Sequence, residues 1–260
     1  MELSTVIGIS LGTIAVFVGM VIKGAPITAL INPAAFLIII GGTIGAVMNA
    51  LPMDVVKRAP ILLKKILNKQ NLLPIAELVG IFVEFSQIAR REGLLALEGK
   101  IESIDDPFLK GGMQMMIDGL DGEFIRDVLE ADISNREERH RQGALIFSQA
   151  GMYAPTLGVL GAVIGLIAAL GNLNDIEQLG HSIAAAFVAT MLGIFFGYVI
   201  CHPFANKLKV LSQKEMAIKK LMIEGILSLQ AGDPPMAVEA KLKAFMPQED
   251  RGALASSKGE

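Results

Sequence analysis

The chain has 260 residues, 52% of them hydrophobic and only 19% charged, where a soluble domain of this length is usually about a quarter charged. A net charge of −3 gives no global reason to expect nucleic acid or an acidic substrate as partner. The single cysteine, Cys201, excludes an internal disulfide framework. The charge deficit is uneven: long charge-free runs alternate with densely charged ones, the mark of membrane spans separated by aqueous segments.

The first charge-free run covers residues 3–22. Met1 and Glu2 supply no basic region before it, and the run exceeds the roughly 7–15 apolar residues of a cleavable signal. It is therefore expected to be a retained span. A helix needs about 20 mostly apolar residues to cross a hydrocarbon core of roughly 30 Å, and residues 33–51, 150–171 and 182–202 also qualify. None of the four segments contains Asp, Glu, Lys or Arg. Pro33 suits the first turn of the second span, where its missing N–H costs nothing.

Of the 23 lysines and arginines, only Lys23 lies in a connection between the first and second or third and fourth spans. The rest fall between residues 52 and 148 or after 203. Lys57, Arg58, Arg139, Arg141, Lys207 and Lys209 sit against span ends, where basic residues mark the cytoplasmic side. Both termini and the long segment between spans two and three are expected in the cytoplasm.

These outer parts read as helical. Leu72, Ile75, Leu78, Val79, Phe82, Phe85 and Ile88 recur at steps of three and four, which predicts a helix over 72–91. Residues 122–141 follow the same pattern and point straight into span three. A further helix is predicted over 207–229, stopped by Gly232-Asp233-Pro234-Pro235, and a short one over 236–245. The expected fold class is thus an all-α membrane protein, with four transmembrane helices and a large helical cytoplasmic domain. Its divisions are spans one and two (1–51), a cytoplasmic helical domain (52–149), spans three and four (150–203), C-terminal cytoplasmic helices (204–246) and a flexible tail (247–260).

Catalytic signatures are missing: there is no phosphate-loop lysine motif, no HExxH and no serine elbow, so an enzyme is not expected. His140, His181 and His202 lie far apart and no ligand set forms around them, so neither a metal nor a cofactor is expected. Each span contains a GxxxG, at Gly8/Gly12, Gly41/Gly45, Gly161/Gly165 and Gly193/Gly197. Small residues at that spacing let backbones approach closely, which implies a tightly packed bundle or oligomer. Pro155 and Pro203 each remove a backbone donor near the cytoplasmic ends of spans three and four, freeing the carbonyls of Gly151 and Val199 if the helices continue there. Pumps and transporters normally hold a carboxylate or histidine chain at membrane depth. Here two readings stand: either the chain conducts nothing, or another subunit supplies the titrating acid.

Several stretches, in this order and spacing, resemble the MotA family of flagellar motor stator proteins across nearly the whole chain. They are Ala89-Arg90-Arg91-Glu92-Gly93 with Leu97-Glu98, Ala154-Pro155-Thr156-Leu157-Gly158 running to Gly165, Ala189-Thr190-Met191-Leu192-Gly193, His202-Pro203-Phe204-Ala205, and Pro234-Pro235-Met236-Ala237-Val238-Glu239. The resemblance implies a pentamer in the bacterial inner membrane, surrounding a MotB-like single-span partner that carries the ion-binding aspartate. It also implies a rotor contact with FliG through Arg90, Arg91 and Glu98. Pro155 and Pro203 match the family's functional prolines, and Thr156, Ala162 and Thr190 fall on its ion pathway. Sodium-driven relatives carry a threonine where this chain has Ala162, so the transported ion is expected to be H+. An ExbB/TolQ-like energiser of the outer membrane is the nearest alternative, disfavoured by the two spans that precede the long loop. A non-conducting helical scaffold is another.

Overall fold

The computed structural model describes residues 3–25, 27–68, 72–171 and 173–246. Every regular element among them is helical. The α-helices are α1 (Leu3–Ile22), α2 (Pro33–Phe36), α3 (Gly42–Ala50), α4 (Met53–Val56), α5 (Ala59–Leu67), α6 (Ile75–Glu92), α7 (Glu98–Ile101), α8 (Pro107–Ile117), α9 (Gly122–Leu170), α10 (Ile176–Phe195), α11 (His202–Gln230) and α12 (Pro235–Lys243). Four helices are long and apolar enough to cross a membrane, as expected. The predicted helix over 122–141 runs without a break into span three as α9. The helices predicted over 72–91, 207–229 and 236–245 correspond to α6, α11 and α12. The tail from residue 247 lies outside the described residues.

Two spans contain a π-helical turn: Leu37–Gly41 joins α2 to α3, and Phe196–Cys201 joins α10 to α11. In a π-turn an amide bonds the carbonyl five residues back, and the His202 amide accordingly donates to the Gly197 carbonyl. Pro33 occupies the first turn of α2, and the Asn32 side chain caps it by accepting from the Ala35 amide at 3.1 Å.

The chain forms two compact units. The first takes residues 1–70 and 139–210 and the second takes 71–138 and 211–260, so α9 and α11 each contribute to both. In the first unit, the buried stripe Ala35, Ile39, Thr43 and Val47 lies at four-residue spacing along the second span. Ala35 and Ile39 pack with Ala154 and Ala189, while Val47 joins Val55, Ile66, Phe147, Phe204 and Leu208. The Phe147 and Phe204 rings meet edge to face at 5.9 Å.

The second unit is built around Phe82, which is fully buried among Leu78, Leu109, Met113, Leu221, Met222 and Ile226. A Cβ on Gly225 would lie 2.5 Å from the Phe82 ring, so only glycine lets α11 come this close to α6. Val238 and Leu242 of α12 close the same core, and the Ser86 hydroxyl donates to the Asp233 carbonyl at 2.8 Å. Gly232, at φ 72°, turns the chain between α11 and α12, as the stop signal in the sequence requires.

Candidate functional site

Spans three and four meet along a seam of small residues within the first unit. A Cβ on Gly158 would lie 2.9 Å from the Ala189 carbonyl oxygen and 3.0 Å from the Gly193 Cα. Gly161 faces the Ala189 methyl and Gly165 the Ala186 methyl, at 3.3 and 3.2 Å from the same construction. The pairs Gly161/Gly165 and Gly193/Gly197 therefore pack helix on helix, the geometry that small residues permit in lipid. The other two pairs act differently. Gly12 approaches only the Val199 side chain, whereas Gly8 and Gly45 have nothing within 4 Å and Gly41 meets only Leu37 of its own turn. Of the tightly packed bundle or oligomer that the four motifs imply, the packing within the chain accounts for the motifs of the last two spans.

Pro155 stands at one end of this seam. Lacking an amide hydrogen, it leaves the Gly151 carbonyl without its ordinary helical donor, yet α9 continues through it. Both groups lie against Gly197: a Cβ there would sit 2.7 Å from the Gly151 oxygen and 2.8 Å from the Pro155 Cγ. Gly197 belongs to the π-turn Phe196–Cys201, which ends just before Pro203. The structure therefore brings Pro155 against the irregular turn that precedes Pro203, so the missing donor of one helix faces the altered hydrogen bonding of the other. The His202 ring covers Gly151 from the side, and its centre lies 5.1 Å from that of the Tyr198 ring at a 42° tilt.

The pathway residues are more dispersed. Ala162 follows Pro155 by seven residues, close to two turns, and so shares its face of α9. Thr156 is an exposed residue on another face, and Thr190 is half-buried on α10. Each hydroxyl bonds back to its own helix, Thr156 to the Met152 carbonyl and Thr190 to that of Ala186, both at 3.4 Å. Neither hydroxyl is bonded to the other. Sequence reasoning passed over Thr43, which is buried in span two with no hydrogen-bond partner for its hydroxyl among the described residues. Its position in the Ala35–Ile39–Val47 stripe was the available signal.

The charged residues lie in the second unit. Arg90 and Arg91 occupy the last turn of α6, where cations complement the helix dipole. Gly93, at φ 87°, ends the helix and a 3-10 turn, Leu94–Leu97, leads to Glu98 at the start of α7. Arg90, Arg91, Glu92 and Glu98 are all exposed, and none forms an ion pair with another described residue. The contrast is with Glu84 and Lys100, which pair at 3.3 Å nearby in sequence, and with Glu224. The Glu224 carboxylate receives Arg126 at 3.0 Å and Lys241 at 2.9 Å. Burial works to raise its pKa, but these hydrogen bonds and charges outweigh it and hold the carboxyl below its ordinary range.

A second missed residue is Lys219. It is 6% exposed, and its ammonium lies 4.3 Å from the centre of the Phe108 ring. The signal was present: Lys219 falls three residues after buried Met216 and seven before buried Ile226, on the apolar face of α11. Among the described residues, no group of three or more His, Cys, Asp or Glu side chains is placed to hold a metal ion.

Comparison with known proteins agrees with this arrangement. The model of the motility protein A N-terminal region matches residues 6–93, and that of the MotA/TolQ/ExbB proton channel family matches residues 100–220. Motility protein A of Bacillus subtilis is 53% identical over 96% of this chain and 93% of its own length. Chemotaxis protein PomA of Vibrio alginolyticus is 31% identical over 96% and 98%. Among solved structures, the flagellar MotAB stator complex from Bacillus subtilis superimposes with a TM-score of 0.92 at 54% identity, covering 96% of this chain and 98% of that one. The MotAB structure from C. jejuni gives 0.91 at 33%, covering 95% and 97%. With four membrane-length helices, two of them joined by a glycine seam, and relatives matched over nearly their full length, the chain belongs to the motility protein A family of flagellar stator subunits, within the MotA/TolQ/ExbB proton channel family.

Proposed function

We propose that this chain is the ring-forming subunit of a proton-driven flagellar stator, working with a MotB-like single-span partner to convert ion flow into torque. The observation that carries the reading is the seam of α9 and α10: two helices packed glycine against glycine, with no carboxylate in residues 150–171 or 182–202. Such a pair forms a wall beside an ion path but offers no acid at membrane depth to bind and release a proton. The titrating aspartate belongs to the partner, and this chain supplies the surrounding ring, as a pentamer in the bacterial inner membrane with both termini in the cytoplasm.

Within that ring Thr156, Ala162 and Thr190 line the ion path. Ala162 presents a methyl group, which offers no oxygen to replace the hydration shell of Na+, and so favours H+. Pro155 and Pro203 form the flexible level at which spans three and four adjust as the partner's aspartate changes charge; the contact of Pro155 with the Gly197 turn supports this role. Arg90, Arg91 and Glu98 meet the rotor protein FliG. Their exposure and lack of internal ion pairs suit a contact that forms and breaks repeatedly.

The deciding experiment is affinity purification of the tagged chain from membranes. A one-span protein with an aspartate in its span should co-purify in a fixed ratio below one per chain. Recovery of the chain alone, or with a partner lacking a membrane acid, would sink the division of labour proposed here.

A further inference from the structure

The second unit holds a cavity of about 710 Å³ between α6, the 103–107 connection and α11, within the size range of small-molecule sites. Lys219 lines it. This side chain is more than nine-tenths buried, rests on the Phe108 ring, and makes no hydrogen bond or ion pair with another described residue. A buried ammonium without an acceptor is costly, and an aromatic face alone returns only part of that cost. Burial pushes the Lys219 pKa down, opposed by the charges of Asp106, Glu215 and Asp132 and assisted by that of Arg136.

The surrounding groups narrow what fits. Asp106 caps α8 with a single oxygen, since Oδ1 accepts from both the Phe108 and Leu109 amides at 2.8 and 3.1 Å. No described residue donates to its Oδ2, and Asp106 lines the cavity. Glu215 lines the cavity too, as does Lys100, which is paired with Glu84 at 3.3 Å. Ile81, Phe85, Ile218 and Met222 supply apolar wall. A simple anion would satisfy Lys219 but meet an excess of carboxylates, and a simple cation would leave the ammonium unmatched. A molecule carrying both charged groups on one carbon answers both.

We propose that this cavity is a binding site for a small zwitterion with an apolar stem, the chemistry of a free aliphatic amino acid. Its carboxylate accepts from Lys219, its ammonium donates to Asp106 Oδ2 in the negative field that Glu215 adds, and its side chain lies on Ile81, Phe85, Ile218 and Met222. The site stands apart from the stator reading, since it uses none of the seam or the unpaired charges of α6.

Calorimetric titration and thermal shift of the full-length chain purified in detergent test the site with leucine, acetate and isopentylammonium as probes. Leucine should bind at millimolar concentration or below, with each half-molecule about tenfold weaker or more. Lys219→Met and Asp106→Asn should each weaken leucine binding by about tenfold or more, the range of one charge-assisted hydrogen bond. Asparagine caps a helix as well as aspartate does, so Asp106→Asn preserves the fold and decides the matter even if Lys219→Met does not fold. No leucine binding by about 10 mM, acetate binding as tightly as leucine, or an unchanged affinity in Asp106→Asn would each overturn the proposal.

Discussion

The seam between spans three and four makes Gly193→Ala a sharp test of the packing. The added methyl would sit 2.7 Å from the Ala154 oxygen and 2.8 Å from the Gly158 Cα, against backbone rather than a side chain that can turn away. Ordinary carbon contacts lie near 3.5–4.0 Å, so the two helices must part by roughly 1 Å. A gap of that size forfeits a quarter to a half of each dispersion contact along the seam, and overpacking of this kind typically costs about 1–3 kcal/mol. A backbone contact calls for the upper part of that range, about 2–3 kcal/mol; alanine recovers about 1 kcal/mol as a better helix former, leaving a net loss of about 1–2 kcal/mol. At roughly 2–4 °C per kcal/mol for a chain of this size, the unfolding midpoint in detergent should fall by about 2–8 °C. Gly19→Ala is the matched control: the same change in α1, where nothing lies within 4 Å, should leave the midpoint unchanged or raise it by a few degrees. If Gly193→Ala matched or exceeded the wild type, the close approach described above would be wrong.

Three further outcomes are expected. Arg90→Glu should reduce swimming torque at normal membrane abundance, because the side chain is exposed and holds no internal pair; wild-type swimming would remove Arg90 from the rotor contact. Glu224→Gln should lower stability at pH 7 by about 1.5–3 kcal/mol through weaker bonds to Arg126 and Lys241. Because the native Glu224 pKa is depressed, that contribution is present above the unfolded value of about 4.3 and fades as pH falls through the lower native value. Denaturant midpoints of the two proteins should converge in acid, and a gap that widened there would contradict the assigned ion pairs. Swimming should stop with a protonophore and persist without sodium; the reverse pattern would remove the argument built on Ala162.

Much of the architecture was legible because hydrocarbon imposes a simple rule. A charge-free run of about 20 residues has few alternatives to a spanning helix, and α1 occupies the predicted residues 3–22. The fourth helix begins at Ile176, six residues before the predicted span, because Asp175 caps a first turn that carries Glu177. Hydropathy finds where a membrane crossing starts, whereas capping decides where the helix does. The π-turns at Leu37–Gly41 and Phe196–Cys201 left no pattern in the apolar runs, since each depends on tertiary packing rather than on side-chain type. The glycine spacing announced close packing but not which motifs would find partners, and Gly45 and Gly193 look alike until the neighbouring helix is placed. Lys219 was hidden by its setting in Lys214-Glu215-Met216-Ala217-Ile218-Lys219-Lys220, where a charge reads as solvent-facing unless its exact phase on the helix is followed.

The free charges at the end of α6 also bear on how quickly a partner can engage. Arg90, Arg91, Glu92 and Glu98 pair with no described residue, so no such pair has to break before a charged surface arrives. Two cations and two anions sum to no net charge, so docking rests on matching each charge at short range, which favours a specific register over a deep bound state. The same exposure leaves the contact open to screening over a Debye length of about 8 Å at physiological ionic strength. The rotor contact proposed for this surface would therefore be reversible and graded by salt, like a clutch whose grip loosens as the cytoplasm becomes more concentrated.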